Sequence, residues 1–597
     1  MLNGRLYRAA FAPFLLVLAV AAFSLGPRPH PLSSTLAPDA FEGARAFAGL
    51  KALGAAYPVR RPGGSGDEAL AKHIARSIGA LGGAAGGGFS VRTESAAGQT
   101  IDGQRSLSTV VAERPGSTSA TPIVILAHRD AAARGSLAEL SGTAALVELA
   151  RVFAARETKR TIVLVSTSGG SGGDAGAAAL AAQLHTPLDA AIVLGDLAGT
   201  SNMRPIVVPF SDGLGSAPLA LQRTVSDSIT HEVGADPGAP SSLGQLAHLT
   251  FPLAVGEQGV LDAGGVPAVL VQVSGERGPS PHEAISAERL NVYGRSVLGA
   301  IDALDAAPDV TQAMQTSVPI AHQTMPAWAV RLLVLALLLP PLITGADGLA
   351  RLRRRRRASG PWFVWSISCA LPFFTAALFA FLLGRLGILG AAPSVPVLPS
   401  ALPLDGPAAA ATIAVLLSLA LAWLLWTRLV RRLGWSVRPD PDASGVAIVM
   451  VLLAVALLVW VSNPFTALLL VPAIHLWLLL ASPELRPRRA GAFALVLAGL
   501  LPLGLLIAFF AHQLGLGLGE IGWTAVLLVA GGHVGMGSAA LWSLALGCAA
   551  AAGLLAAAPG AAPPGPPSET GREVTIRGPM SYAGPGSLGG TESALRR

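Results

Sequence analysis

The residues best suited to chemistry in this 597-residue chain gather around one stretch, "TIVLVSTSGGSGGDAG" (161–176), where a β-branched apolar run enters a glycine-rich loop and a helix-like "AAALAAQL" leaves it. Gly170, Gly172 and Ala175 fit G-x-G-x-x-[GA], the spacing that lets backbone amides approach a pyrophosphate at a strand-to-helix turn, and Asp196 follows about 20 residues on, where an acid would meet a ribose. That spacing is weak evidence in a chain with 69 glycines, and the loop lacks the lysine of a P-loop. A structural glycine turn is the plainer reading. Other polar residues stand at the ends of apolar runs. His128 and Asp130 close "IVILAHRD", Asp196 closes "AAIVLGD", and His282 precedes Glu283 in "SPHEAISAERLN". By type alone they read as hydrogen-bonded residues at strand ends and an exposed turn histidine. The two cysteines, Cys369 and Cys548, lie in long apolar segments, so neither a disulfide framework nor a thiolate metal site is available. His475, His512 and His533 would suit a polar pathway through a membrane, but most of the apolar segments bring no acid to pair with them, so a transporter is the lesser reading.

The elements that must position these residues divide the chain sharply. With 52% hydrophobic and 13% charged residues, it is too apolar for an ordinary soluble protein. A net charge of +7 comes largely from arginines beside apolar runs, which fixes membrane orientation rather than nucleic-acid binding. Residues 1–35 hold Arg5, Arg8 and an apolar run (9–26) longer than the ~7–15 residues of a signal-peptide core, which reads as a retained membrane anchor. Residues 36–312 alternate short apolar strands (121–128, 160–167, 190–196, 266–273) with helical stretches (141–156, 287–304), the pattern of an α/β domain with a mostly parallel, mixed sheet flanked by helices. Residues 313–560 form an all-α membrane domain of about seven spans, at 327–345, 361–383, 407–427, 445–461, 464–481, 491–511 and within 521–557. Arginine clusters at 351–357, 428–432 and 486–489 mark cytoplasmic loops, which puts residues 36–312 on the extracytoplasmic side, where Arg5 and Arg8 also direct them. Residues 561–597, rich in Pro, Gly and Ser, read as a disordered cytoplasmic tail. The membrane is the plasma membrane in a bacterium or the endoplasmic reticulum in a eukaryote.

Five segments occur in the order known for zinc aminopeptidases of family M28: "IVILAHRD", "GSLAELSGTAALVELAR", the strand and glycine loop, "AAIVLGDLAG" with "GGVPAVLV", and "SPHEAISAERLN". Residues 45–305 resemble that family, including the upstream "RRPGGSGDEALAKHIARSIGALG" (60–82). The resemblance implies two zinc ions, with His128, Asp196 and His282 at ligand positions and Asp130 as the partner that orients the histidine. It also exposes departures. Ala138 stands where the bridging Asp belongs, Gly170 replaces the general base, and Ser171 replaces a ligand Glu. A catalytic zinc takes three protein ligands plus water, and that count is not met at either position. Glu139 and Asp174 are the nearest substitutes, so the expected cofactor is none or one zinc, and a catalytic reading would be an aminopeptidase with a rearranged site.

An anchor, an M28-like domain short of its acids and a multi-span membrane part together resemble the Gaa-type subunit of the glycosylphosphatidylinositol (GPI) transamidase. That resemblance rests on architecture, and implies a noncatalytic pseudoenzyme that binds a peptide, a lipid headgroup or partner proteins in a membrane complex.

Overall fold

The computed structural model describes residues 4–82, 88–183, 190–307, 316–389, 392–398, 400–433, 441–480 and 487–558. The expected tail at 561–597 lies outside them. Helices α1 (Gly4–Ala9) and α2 (Ala12–Phe23) lead into a short strand, β1 (Gly26–Pro27), and then to α3 (Gly43–Ala56) and α4 (Ser65–Gly79). A long hairpin follows, β2 (Ser90–Thr100) and β3 (Gly103–Arg114). The α/β alternation then runs β4 (Ile123–His128), α5 (Leu137–Ala154), β5 (Ile162–Thr167), α6 (Ala175–Gln183), β6 (Ala190–Leu194) and β7 (Val207–Val208). It continues through α7 (Leu219–Val233), α8 (Ser242–Thr250), α9 (Glu257–Ala263), β8 (Ala268–Val271) and α10 (Ala287–Ala306).

The seven-stranded sheet has the order β2-β3-β5-β4-β6-β8-β7. Its centre, β5-β4-β6-β8, is parallel, and the hairpin and β7 add antiparallel edges. The four strands expected from their apolar runs are this parallel centre. Their continuous hydrophobicity has a direct cause, because successive side chains point to opposite faces and both faces are covered. Ile123, Ile125 and Ala127 of β4 join the core under α3, α5, α7 and α10, while Val124 and Leu126 join a second core under α6 and α9. β6 and β8 divide in the same way, Ile192 and Val269 to the first core, Val193 and Leu270 to the second. Alternation places His128, two residues beyond Leu126, on the α6–α9 face. Helix α5 begins four residues ahead of the expected 141, because Leu140 is fully buried in the first core and carries the helix back to Leu137.

A three-stranded sheet ties the end of the N-terminal helix to the start of the membrane part: β1 pairs with β10 (Gln323–Met325), which pairs with β9 (Val318–Ile320). Beyond it lie α11 (Ala327–Arg354), α12 (Gly360–Ser368), α13 (Leu371–Arg385), α14 (Gly406–Arg432) and α15 (Pro441–Ser462). The last four are α16 (Pro464–Leu480), α17 (Arg489–Leu514), α18 (Leu518–Ala530) and α19 (Met536–Ala557). Among the described residues seven helical segments are long and apolar enough to cross a membrane: Gly4–Phe23, α11, α12 with α13, α14, α15, α17 and α19. Six of these are C-terminal. The seventh expected there, α16, has 17 residues, and at 1.5 Å per residue it covers only ~25 Å of a hydrocarbon core of about 30 Å. Residues 518–557 form a short helix and one full-length helix. The N-terminal helix packs on this bundle, where the Tyr7 hydroxyl meets His475 Nδ1 at 2.6 Å and His475 Nε2 meets the Leu337 carbonyl at 2.9 Å.

Candidate functional site

The C-terminal ends of β4, β5 and β6 converge on a cavity of about 30 Å³ lined by His128, Glu139, Gly170, Ser171, Asp196 and Glu257, with Leu398 and Pro279 at its edge. That volume holds a water or two, since one water needs ~10–15 Å³. His128 enters from the end of β4. The first turn of α5 brings Glu139 rather than Ala138, which is buried beside the cavity without lining it. Gly170 and Ser171 come from the loop after β5. His282 is exposed on its turn and is not part of the lining.

Gly170 is required here by contact. A Cβ at 170 would stand 2.5 Å from His128 Cβ, 2.6 Å from Cγ and 2.9 Å from Nδ1, so the imidazole occupies the volume a side chain at 170 would need. Asp130, expected to orient His128, instead fastens the loop. Its carboxylate accepts the backbone N–H groups of Gly169 (2.9 Å), Gly170 (3.1 Å) and Ser171 (3.0 Å), and the Ser171 hydroxyl at 2.5 Å. The loop is held from below as well, where Ser168 Oγ donates to Asp67, and Asp67 meets the buried Arg129 guanidinium at 2.8 Å. Arg129 also donates to the carbonyls of Ser108, Ser166 and Thr167. This network of hydrogen bonds and the Asp67–Arg129 ion pair rigidifies the glycine loop.

The partner of His128 is Glu257, at the start of α9, whose Oε2 lies 3.7 Å from Nδ1; the carboxylate is 1% exposed and its other oxygen accepts the Thr167 hydroxyl. Sequence reasoning missed Glu257. Its signal was an acid amid the apolar "AVGEQGVL", just before the "VPAVLV" strand. Burial alone would lower the His128 pKa, but the Glu257 carboxylate, then Asp130 and Glu139, outweigh it and hold the imidazole up at about 9. Burial pushes Glu139 up to about 7, with Asp130 adding to it. Asp196 rises to about 6, also through burial, although Ala198 and Gly199 donate backbone N–H groups to it at 3.1 and 2.7 Å. Those bonds turn its carboxylate back on its own loop. Asp174, with a positive φ of 45° before α6, is pushed well above the carboxylate range by burial and then by Glu257 and Asp212.

A zinc site needs at least three donors converging on one point. Among the described residues no group of three or more His, Cys, Asp or Glu side chains is placed to hold a metal ion. His128 faces Glu257, Asp196 caps its loop, and His282 lies outside. As arranged, these side chains do not fit a catalytic zinc, although buried oxygens of Glu139, Asp196 and Glu257 have no hydrogen-bond partner.

The cavity has a roof from the membrane part. Val397 lies against Gly172, Pro393 against Gly173, and Leu398 against Gly278, all from the segment between α13 and α14, and Val395 packs on the second core. Gly173 has φ +100° and Gly278 φ +70°, and at each a Cβ would also meet this strap.

Residues 109–242 match Peptidase family M28, a span that contains His128, the glycine loop and Asp196 and ends before His282. The α/β part of the chain is thus an M28-like domain. Among solved structures, it is similar to LapB from Legionella pneumophila (16% identity, 49% of this chain and 80% of that one, TM-score 0.37). A glutaminyl cyclase from an Acidobacteriales bacterium (17% identity, 46% and 99%, TM-score 0.34) and a Zn-dependent exopeptidase from Parabacteroides distasonis (16%, 44% and 98%, TM-score 0.32) are similar too. No curated protein matches the sequence.

Proposed function

We propose that this is a multipass membrane protein whose M28-like domain is noncatalytic and serves, on the extracytoplasmic side, to bind a peptide, a lipid headgroup or a partner protein. One observation carries the reading: the His128 imidazole fills the place where a side chain at 170 would project, so the general base is missing and has no room to return. Without a base at position 170, the family's route to an activated water is missing even where an ion binds. The ~30 Å³ cavity under Leu398 also leaves no space for an aminoacyl group. The arginine clusters at the C-terminal ends of α11 and α14 support the sidedness. A pseudo-peptidase on a helical membrane part is the architecture of the Gaa-type GPI transamidase subunit, whose noncatalytic domain works within a complex.

The test is peptidase assay and metal analysis of the full chain in detergent. Leucine and alanine p-nitroanilides with saturating zinc are expected to give no release above the His128→Ala variant, and bound zinc is expected to stay well below one per chain. Amino-acid release that His128→Ala abolishes, together with stoichiometric zinc, overturns the reading in favour of an aminopeptidase with a rearranged site.

A further inference from the structure

A polar pocket of about 210 Å³ lies where the α/β domain meets the three-stranded sheet, and shares no lining residue with the His128 cavity. One face of α7 forms its wall. Gln222, Arg223, Ser226, Asp227 and Thr230 recur there at helical spacing, while Leu221, Val225 and Ile229 on the other side enter the first core. Arg28, from the segment after β1, and Pro319 and Thr324, cross-strand partners in β9 and β10, stand around it. Among the described residues that line it, none belongs to a membrane-spanning helix. At ~10–15 Å³ for a water, the space holds on the order of fifteen waters, enough for an oxyanion carrying a short organic group.

Two guanidinium groups reach this space with donors to spare. Thr224 Oγ1 accepts the Leu32 N–H at 2.9 Å and Arg223 Nη1 donates to the Pro29 carbonyl at 2.5 Å, so the segment after β1 is stapled to α7 at two points and carries Arg28 to the pocket. Arg28 forms no hydrogen bond or ion pair among the described residues; its Nε is buried without a partner, and its two outer nitrogens are not enclosed but reach the space the side chain lines. Arg223 engages only Nη1, which leaves Nε and Nη2 free. Asp227 does not neutralise either group: it is exposed, and among the described residues it makes no ion pair, although it stands one helical turn from Arg223. A guanidinium has five donors and no acceptor, so these free N–H groups need acceptors from outside the chain.

We propose that this pocket binds a small, water-soluble phosphate monoester through Arg28 and Arg223. Two guanidinium groups offer two positive charges and two planar sets of donors. A phosphate monoester answers both, with three free oxygens and a charge of roughly −1.5 to −2 at neutral pH. A carboxylate or a phosphodiester brings a single charge and leaves one guanidinium unmatched. The Ser226 hydroxyl, which has no partner among the described residues, is a further donor. Polar walls built from the α/β domain and the small sheet select a molecule arriving from water. The site is separate from the His128 cavity, and stands whether or not that cavity is catalytic.

The test is isothermal titration calorimetry of the full chain in phosphate-free dodecyl maltoside, with inorganic phosphate and glycerol 3-phosphate set against acetate and dimethyl phosphate. Expected is one site per chain for the first two, with Kd on the order of 0.1–1 mM, and binding of the singly charged probes weaker by roughly tenfold. Arg28→Gln should weaken phosphate binding by roughly tenfold, and Arg223→Lys, which keeps the charge but loses the planar donors, by about threefold. Asp227→Asn removes the one carboxylate at the pocket and should tighten binding about twofold, a gain that a misfolded chain cannot give. Arg151→Gln, exposed on α5, should leave binding unchanged. Equal binding of acetate or dimethyl phosphate overturns the proposal. So does an Arg28→Gln chain that unfolds at the parent's temperature and binds phosphate as the parent does, or a loss with Arg151→Gln equal to that with Arg28→Gln, which would mean attraction to general surface charge. Absence of binding by the soluble probes, with or without uptake of phosphatidylglycerol from nanodiscs, overturns it as well. None of these readouts involves peptide release, so failure here and failure of the noncatalytic reading are told apart.

Discussion

Placing a side chain at position 170 should damage the protein. A methyl group at 170 would lie 2.5 Å from His128 Cβ and 2.6 Å from Cγ. Carbon atoms rest at about 3.5–4.0 Å, so roughly 1 Å of movement must be found in a loop whose amides are already pinned by Asp130. Overpacking of that kind costs about 1–3 kcal/mol. In a domain of this size each kcal/mol moves Tm by roughly 2–4 °C, so Gly170→Ala should lower the unfolding temperature by ~2–12 °C. Gly170→Glu should be at least as harmful and release no amino acid. The assay is thermal unfolding of the detergent-solubilised chain, run as a double-mutant cycle with His128→Gly. Removing the whole His128 side chain, Cβ included, opens the space, so Gly170→Ala in that background should cost less than half as much. A neutral Gly170→Ala, or a cost unchanged without the imidazole, refutes the argument that His128 excludes a side chain there.

Three other outcomes are expected. Asp130→Ala strands three loop N–H groups and should cost about 2–4 kcal/mol at ~1–3 kcal/mol per unmet donor, less what water recovers, with faster hydrogen exchange at 169–171 as the reading. Burial holds the Asp212 carboxyl up at about 7 against an ordinary 3.8, so the folded chain keeps a proton that the unfolded chain loses. Stability at this group therefore falls as pH rises from about 4 to about 7, by up to ~4 kcal/mol, and Asp212→Asn should flatten that part of the pH–stability curve. Ser117→Cys places a thiol on an exposed loop of the α/β domain while Cys369 and Cys548 are buried. An impermeant maleimide applied to intact cells or sealed right-side-out vesicles should label it; labelling only after lysis would reverse the sidedness.

The parallel centre of the sheet was legible because β4, β5, β6 and β8 are buried on both faces and so read as unbroken apolar runs. The β2–β3 hairpin was not, since β2 is largely exposed and its sequence, "SVRTESAAGQT", carries little apolar signal. His128, Asp196, Gly170 and Ser171 were singled out through the order of five segments, and all four line one cavity. Glu257 and Leu398 were invisible for a different reason. Each reaches the cavity through tertiary packing, one from the start of a short helix and one from a segment roughly 270 residues beyond His128, and no local spacing encodes such a meeting. Asp130 shows the converse. Its carboxylate takes the amides of the glycine loop and not the imidazole of His128, and the geometry of that choice is not written in the residue.

The strap has a practical consequence for anyone wishing to work with the outer half of this protein by itself. Cutting the chain ahead of α11 would discard Pro393, Val395, Val397 and Leu398, leaving the glycines beneath them bare to solvent and an oily ledge exposed. Such a fragment would be stickier than the parent, and any pocket found in it would be an artefact of the scissors.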